Sequence, residues 1–407
     1  MRLTENAFTL PPQCARCRDW KRVLPFVQIN WFGVFDKEHD MADPRIEKLA
    51  DVLIDYSLAI REGDFFAINS PPIAAPLVEA LYVRALKKGA FPVTSIGLPH
   101  LGELFLTHAT PAQLAWVSPI QRLIIEQADA TFSILADTNT KALTNTDPAK
   151  QMQRAAAMND LTKTYMDRAA SGALRWSLTL YPTEAYAQDA EMSLAEYEAF
   201  VFGAGLLDEP DPIAAWKKQG ATQQRLIDWL KDKDQVHVVG PDTDLTLSIK
   251  DRVFINADGS RNFPDGEIFT GPVENSINGH IHFSYPANLG GREIEDIRLT
   301  FAHGVVTQAT AARGQEYLAK LLDTDAGARR VGEFAFGTNY GIQRFTKNTL
   351  FDEKIGGTMH MALGRAYPET GGTNESAIHT DIVCDLRSGG TITVDGQTFA
   401  KDGKFVI

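Results

Sequence analysis

Histidine and aspartate alternate with apolar residues in the segment SAIHTDIV, residues 376–383. Residues two apart on a β-strand lie on one face, about 7 Å from each other, so His379 and Asp381 would point one way while Ile378 and Ile382 point the other way. Such a pair can bind a metal ion, but it also occurs as an ordinary ion pair or hydrogen-bonded pair on a protein surface. The spacing of these two residues leaves both interpretations open.

Three further residues of metal-binding type stand in glycine-rich or apolar surroundings. Glu267 follows an Asp-Gly pair, Glu333 follows Val-Gly, and His360 comes shortly after a Gly-Gly-Thr turn. An acid between apolar neighbours must face solvent or have its charge compensated, because an unpaired buried carboxylate is costly. A histidine of the core is the simpler interpretation of His360. Together with His379 and Asp381, however, the set offers three carboxylates and two imidazoles, which suits one or two divalent ions such as zinc, cobalt or manganese.

The fold must position these residues, and the sequence shows two different patterns of predicted secondary structure. In the first, β-rich runs alternate with helix-length amphipathic stretches; the runs lie near 64–68, 91–95, 130–135 and 174–178, and the stretches near 74–89, 111–128, 148–169 and 192–204. Repeated strand and helix with mostly apolar strands predicts a mostly parallel sheet covered by helices. Neither a GxGxxG motif nor a GxxxxGK[ST] loop opens any of these helices, so the pattern does not support a bound nucleotide.

The second pattern follows a charged run at 231–234. It consists of short predicted strands and turns, interrupted by a predicted helix near 313–322. We therefore predict an α/β domain over 41–233 and a β-rich α+β domain over 234–407 that carries the metal site. Residues 1–40 lack clear periodicity, which leaves two hypotheses: either Met41 is the native start, or residues 1–40 are a dispensable, disordered extension. Asp43 and Pro44 then predict the N-cap and first turn of a helix.

The composition of the chain argues against several classes of function. The chain has 407 residues with 52 acidic and 40 basic side chains, a formal charge of -12, which argues against nucleic acid or an anionic membrane as the main partner. No apolar run reaches the length of a membrane span. Three cysteines are too few for a disulfide framework, so a cytoplasmic protein is expected.

Six strings in the second half carry a resemblance to a known family: PDGEIFTGP, GHIHFSYPA, GEFAFGTN, LFDEKIGGTMHMALG, YPETGG and SAIHTDIVCDL. In order and composition they resemble the thermophilic aminopeptidase family of metallopeptidases, the group of aminopeptidases T and S. The resemblance covers roughly 41–407 and is specific in the second domain. It implies a homodimeric aminopeptidase with two divalent metal ions per chain, acting on peptides with a free N-terminus.

Matched motif by motif, the resemblance implies that the ligands are Glu267, Glu333, His360, His379 and Asp381. Tyr367 matches an active-site tyrosine that would donate a hydrogen bond to the oxyanion, although without the resemblance an ordinary aromatic residue would be the simpler interpretation. Glu353 is a further ligand or a carboxylate beside the ligands, and either Glu333 or Glu353 would carry the proton to the leaving amine.

Two rival functions remain. A metal-dependent amidase or dipeptidase acting on small acyl-amines would keep the same centre, and a non-catalytic binding protein would keep only the fold. Other candidate sites are weaker: Cys14 and Cys17 form half of a zinc ribbon, and His280 with His282 is interpreted as a solvated or pocket-lining pair.

Overall fold

The computed structural model describes residues 43–289 and 292–407. The predicted extension over 1–40 and the candidate start at Met41 lie outside the described residues. The first helix begins where the sequence predicts, with Pro44 in its first turn and the Asp43 side chain accepting a hydrogen bond from the backbone nitrogen of Arg45 at 2.9 Å. The cap satisfies a backbone donor that the helix itself leaves unpaired.

The α-helices of the described residues are α1 (Pro44–Val52), α2 (Ala75–Lys87), α3 (Leu101–His108), α4 (Pro111–Ala115), α5 (Pro119–Gln127), α6 (Pro148–Ala170), α7 (Glu184–Asp189), α8 (Leu194–Ala204), α9 (Pro212–Leu230), α10 (Gln315–Leu322) and α11 (Thr349–Asp352). A π-helical turn, Leu53–Ser57, continues α1, and 3-10 turns lie at Pro72–Ala74 and Pro368–Thr370. None of the helices in these ranges combines the length and apolarity needed to cross a membrane.

The strands are β1 (Phe65–Ser70), β2 (Phe91–Ile96), β3 (Ala130–Leu135), β4 (Arg175–Leu180), β5 (Gln235–Gly240), β6 (Thr243–Ser248), β7 (Ile255–Ala257), β8 (Asn262–Phe263), β9 (Glu267–Thr270), β10 (Asn278–Phe283), β11 (Ala287–Leu289), β12 (Arg292–Ile294), β13 (Ile297–Ala302), β14 (Val305–Thr310), β15 (Val331–Gly337), β16 (Thr358–Gly364), β17 (His379–Asp385), β18 (Thr391–Val394), β19 (Gln397–Lys401) and β20 (Lys404–Phe405).

The first sheet is parallel, in the order β2-β1-β3-β4-β8. The strands β1 to β4 are joined through helices, as parallel strands require. Large apolar side chains of the strands and helices, among them Phe66, Phe132 and Trp216, pack into one core. The predicted α/β class of the first half is confirmed.

The later part of the chain is antiparallel and β-rich, which confirms the second half of the predicted fold class. An eight-stranded sheet runs β14-β13-β10-β6-β5-β18-β19-β20, and a five-stranded sheet runs β17-β16-β15-β9-β7. The two sheets share a second apolar core.

The strand β8 departs from the simple two-part plan, because it comes from the second half of the sequence yet pairs with β4 of the first sheet. Thr179 reinforces this pairing by donating a hydrogen bond from Oγ1 to the carbonyl oxygen of Phe263 at 2.7 Å. The division into 41–233 and 234–407 stays a prediction.

Candidate metal centre

The antiparallel five-stranded sheet, β17-β16-β15-β9-β7, carries the predicted ligands on one face. Directly opposite residues of an antiparallel pair share a face, and so do residues two apart on one strand. Glu333 lies opposite Ala362, and Ala362 lies opposite Asp381. His360 and His379 stand two residues before these positions, and Glu267 pairs with Gly337, which lies four residues after Glu333. All five side chains therefore share one face.

The opposite face of the same four strands, β9, β15, β16 and β17, is apolar. Its members belong to the second core: Ile268, Phe334, Phe336, Met359, Met361, Leu363, Ile382 and Cys384. The alternation along each strand thus separates a packed hydrocarbon face from a face of ionisable groups.

A β-bulge at Gly332 gives Glu333 its orientation. Val331 lies opposite Leu363 and faces the apolar core, so a regular strand would place Glu333, two residues later, on that core face as well. The register shift between Val331 and Glu333 instead turns the Glu333 carboxylate to the ligand face. A side chain at Gly332 would overlap the carbonyl oxygen of Arg365, which explains the glycine.

A second glycine precedes Glu267 for a related reason. Gly266 has φ +120°, in the region that disfavours side chains, and a Cβ there would lie 2.6 Å from the Cβ of Asn339. The turn is further held by Gln223, whose amide nitrogen donates to the carbonyl oxygen of Glu267 at 2.8 Å.

Glu333 stands at the middle of the centre. Its Oε1 lies 3.5 Å from Nε2 of His360, and its Oε2 lies 3.1 Å from Nε2 of His379. Glu267 Oε2 lies 3.5 Å from Nε2 of His360, and Asp381 Oδ1 lies 3.6 Å from Nε2 of His379. Each imidazole thus faces two carboxylates.

Backbone carbonyl groups orient both imidazoles. Nδ1 of His360 lies 3.0 Å from the carbonyl oxygen of Glu353, and Nδ1 of His379 lies 2.8 Å from that of Arg365. A carbonyl oxygen only accepts, so Nδ1 carries the proton and donates in both residues. When the imidazoles are neutral, both Nε2 lone pairs face the carboxylates, which is the arrangement that metal-binding histidines require.

The donor atoms fit divalent ions. Glu267, Glu333 and His360 form one group whose ligand atoms all lie within 4.8 Å of one another, and Glu333, His379 and Asp381 form a second. Two buried carboxylate oxygens, Glu267 Oε2 and Asp381 Oδ1, have no hydrogen-bond partner among the described residues. Buried polar atoms without a partner are rare, so two ions, one ligated by each of these oxygens, would remove a real energetic cost.

The electrostatics favour protonated imidazoles when no ion is bound. Burial lowers the pKa of His360 and His379, but the neighbouring carboxylates outweigh it and raise these pKa values to about 10 and about 9. Burial raises the pKa of Glu333, but the hydrogen bonds from both histidines outweigh it and bring this pKa down to about 2. Burial also raises the pKa of Asp381 to about 7, with the charge of Glu353 adding to the effect.

Glu353 lies beside the ligands at the end of α11. It forms a third candidate group with His360 and Asp381. Its neighbour Lys354 was missed by the sequence reasoning. Lys354 is fully buried, hydrogen-bonds the Glu353 carboxylate, and lies 3.7 Å from Glu267 Oε1. Burial lowers the pKa of Lys354, but the charges of Glu267 and Glu353 outweigh the effect of burial and raise this pKa above its usual value. The Asp-Glu-Lys run looks like an exposed turn, and no spacing rule reveals this burial.

Tyr367 lies at the rim, 39% exposed. Its ring centre is 5.0 Å from that of His379 and 5.5 Å from that of Phe269. Burial, reinforced by the charges of Glu333 and Asp381, raises its pKa above the usual value, so the phenol keeps its proton.

A cavity of about 500 Å³ opens beside the centre. Glu353, His379 and Asp381 line it, and so do the apolar residues Tyr317, Leu321, Phe345 and Ile378. Other histidines lie outside it: His282 pairs with Asp296 at 2.7 Å and His237 pairs with Asp244 at 2.8 Å.

Comparison with known proteins identifies the family of this chain. Residues 42–405 match the family model of the thermophilic metalloproteases, M29. The chain belongs to the M29 family. Aminopeptidase 2 of Geobacillus stearothermophilus is 30% identical over 402 residues, covering 89% of this chain and 95% of that protein, and aminopeptidase T of Thermus aquaticus is 26% identical, covering 89% and 97%.

The fold of this M29 chain is similar to that of wild-type AmpT from Thermus thermophilus, with a TM-score of 0.78, 25% identity and coverage of 89% of this chain and 99% of that one. A 2,5-dihydroxypyridine dioxygenase from Pseudomonas putida shares the fold alone, at 15% identity and a TM-score of 0.54. Membership of M29 confirms the predicted class, a metal-dependent aminopeptidase, while the metal role of each residue stays a prediction.

Proposed function

We propose that this M29 aminopeptidase works with two divalent ions, one held by Glu267, Glu333 and His360 and the other by Glu333, His379 and Asp381. The observation that carries the proposal is the sharing of Glu333 between two three-residue groups, each of which contains a buried carboxylate oxygen without a partner. A carboxylate with one oxygen toward each group suits a bridging ligand.

Two divalent ions of the zinc, cobalt or manganese kind would supply Lewis acidity, which lowers the pKa of water and polarises a carbonyl group. The protein's own groups do the rest. Both oxygens of Glu333 already face imidazoles, so Glu353 is the better candidate to accept a proton and pass it to the leaving amine. Tyr367, protonated and at the rim beside His379, would donate a hydrogen bond to the developing oxyanion.

A substrate with a free N-terminus suits the cavity. The carboxyl groups of Glu353 and Asp381 line it beside His379. The α-amine of a peptide can donate hydrogen bonds to these carboxyl groups, while the apolar walls receive the side chain. An internal peptide segment offers no such amine, which supports an exopeptidase.

The test is metal content by mass spectrometry together with release of p-nitroaniline from leucine p-nitroanilide. We expect nearly two ions per chain, activity lost on chelation and restored by zinc, cobalt or manganese, and no turnover of the N-acetylated substrate. Equal turnover of the acetylated compound would favour the amidase. Bound metal without turnover of any amide would favour the binding protein.

We also propose a homodimer. The region from Leu98 to Leu123 exposes many large apolar side chains, and α5 buries none of its residues. Trp116 is 61% exposed and Ile120 is 72% exposed. Exposed apolar surface of this density is typical of a protein interface.

Light scattering on the purified protein tests the dimer, with Ile120→Glu expected to yield monomers. Val253→Glu is the matched control, since Val253 is 54% exposed and lies outside this region. A monomeric unsubstituted protein would refute the dimer.

The cytoplasm stays our proposed compartment, supported by the buried free thiol of Cys384.

A further inference from the structure

Lys354 occupies an unusual position for a lysine, fully buried above the ligand face of the five-stranded sheet. Fully buried lysines are rare unless they are paired. Its backbone is held on both sides, because its nitrogen donates to the carbonyl oxygen of Phe351 at 3.0 Å and its carbonyl oxygen accepts from the nitrogen of Asn339 at 3.0 Å. The ammonium group is therefore delivered to a defined point.

The ammonium group of Lys354 contacts one oxygen of each of two carboxylates. It hydrogen-bonds Oε1 of Glu353 and lies 3.7 Å from Oε1 of Glu267. The other oxygen of Glu267, Oε2, faces His360 at 3.5 Å and has no hydrogen-bond partner in the part of the chain that the structure describes. Glu267 thus turns one oxygen toward Lys354 and the other toward the candidate ligands.

The charge of Lys354 also matters. Within the described ranges, it is the one lysine or arginine in ion-pair contact with Glu267, Glu333, Glu353 or Asp381. The four carboxylates balance two divalent ions, so one further positive charge leaves the loaded site able to accept one negative charge. A deprotonated water or a substrate oxyanion carries that charge.

We propose that Lys354 is a positioning residue that makes Glu267 present only Oε2 to the metal and keeps Glu353 out of the ligand set, free for proton transfer. This inference rests on the proposed function and assigns different roles to two acids that look equivalent in the sequence. A lysine that merely balanced charge for folding would leave metal coordination unaffected.

The test compares Lys354→Met with Lys354→Arg and with the control Lys48→Met. Lys48 donates to the carbonyl oxygens of Leu207 and Glu209, at 2.8 and 2.9 Å, and has no carboxylate partner within residues 43–289 and 292–407. The readouts are metal dissociation constants by chelator competition, the visible spectrum of the cobalt-loaded protein, and kcat and KM on leucine p-nitroanilide.

We expect Lys354→Met to weaken metal binding or lower kcat by about 10–100-fold, to change the cobalt spectrum, and to leave KM nearly constant. Lys354→Arg should recover part of the metal affinity, and Lys48→Met should match the unsubstituted protein. An unchanged affinity, spectrum and kcat in Lys354→Met would overturn the proposal.

Glu353→Gln keeps the proposal testable if Lys354→Met does not fold. This variant should retain both ions and the cobalt spectrum while losing kcat. Loss of an ion from Glu353→Gln would make Glu353 a ligand and refute the role of Lys354. The affinity and cobalt readouts do not depend on turnover, so a protein that failed to hydrolyse any free-amine substrate would defeat the proposed function without deciding the role of Lys354.

Discussion

The two faces of the five-stranded sheet differ as strongly as two surfaces of one element can. Phe334 packs in the core with no exposed surface, while its neighbour Glu333 contacts two imidazoles. The apolar face supplies burial free energy, and the ligand face holds groups whose burial costs free energy unless they are paired. The comparison shows that the two faces of one strand can serve separate tasks, with packing that stabilises the fold on one and candidate metal ligands on the other.

Glu333→Gln should give the largest effect, because both candidate ion sites share this carboxylate. We expect binding of both ions to weaken and activity to fall to the level of the metal-free protein. The free energy of unfolding should fall as well, because the amide keeps the shape of the carboxylate but not the charge that pairs with both imidazoles. Metal analysis and leucine p-nitroanilide hydrolysis measure this. The exposed Glu126 provides the control Glu126→Gln, and full activity in Glu333→Gln would contradict the shared-ligand assignment.

Phe334→Ala is the matching change on the apolar face. Removing a buried phenylalanine should lower the free energy of unfolding by about 3–5 kcal/mol, while activity per folded molecule persists at low temperature. Urea titration monitored by circular dichroism gives the first quantity. If the folded variant had lost its metal, the two faces would not be independent.

Tyr367→Phe acts above the ligand face rather than within it. Loss of one hydrogen bond to the oxyanion should lower kcat by about 10²–10³-fold with metal content unchanged. Tyr56→Phe is the control, since the Tyr56 hydroxyl donates to the carbonyl oxygen of Asp258 at 2.9 Å, outside the centre. Lost metal in Tyr367→Phe would show that the tyrosine role is misassigned.

Gly332→Ala tests the bulge that separates the faces. The added methyl group meets the carbonyl oxygen of Arg365, so we expect a loss of about 1–3 kcal/mol in unfolding free energy and weaker metal binding as Glu333 turns. Gly203→Ala is the control, because a Cβ at Gly203 meets only Oδ2 of Asp208, at an ordinary contact distance of 3.9 Å. Retention of full metal affinity would mean that the strand reaches this geometry without the glycine.

Changing pH should give the smallest effect. Burial lowers the pKa of His379, but Glu333 and Asp381 raise it to about 9, against about 6.5 in the unfolded chain. A raised pKa stabilises the metal-free protein fully below about pH 6.5, and this contribution is lost as pH rises through about 9.

Metal ligation requires the neutral imidazole, so affinity strengthens over the same pH range. The difference in melting temperature between metal-loaded and metal-free protein should therefore widen from about pH 6.5 to about 9. Differential scanning calorimetry measures it, and a difference that narrows with pH would contradict the assigned ion pairs.

Much of the fold was readable from local pattern. The apolar runs near 64–68, 91–95, 130–135 and 174–178 became β1 to β4, and the helix near 313–322 is α10. Propensity and period suffice for such elements because neighbouring residues set them. The helix α9 was not singled out, and β8 joined the first sheet from a distant part of the chain, which no local pattern announces.

The sequence by itself determined which residue types stand in the centre, and that His379 and Asp381 share a face of their strand. The tertiary structure alone decided that five residues from four strands meet, that Val331 and Glu333 face opposite ways across a bulge, and that Lys354 is buried between two acids. The physical reason is that alternation along a strand is local. Register between strands and burial of a loop depend instead on hydrogen bonds and packing between residues far apart in the chain.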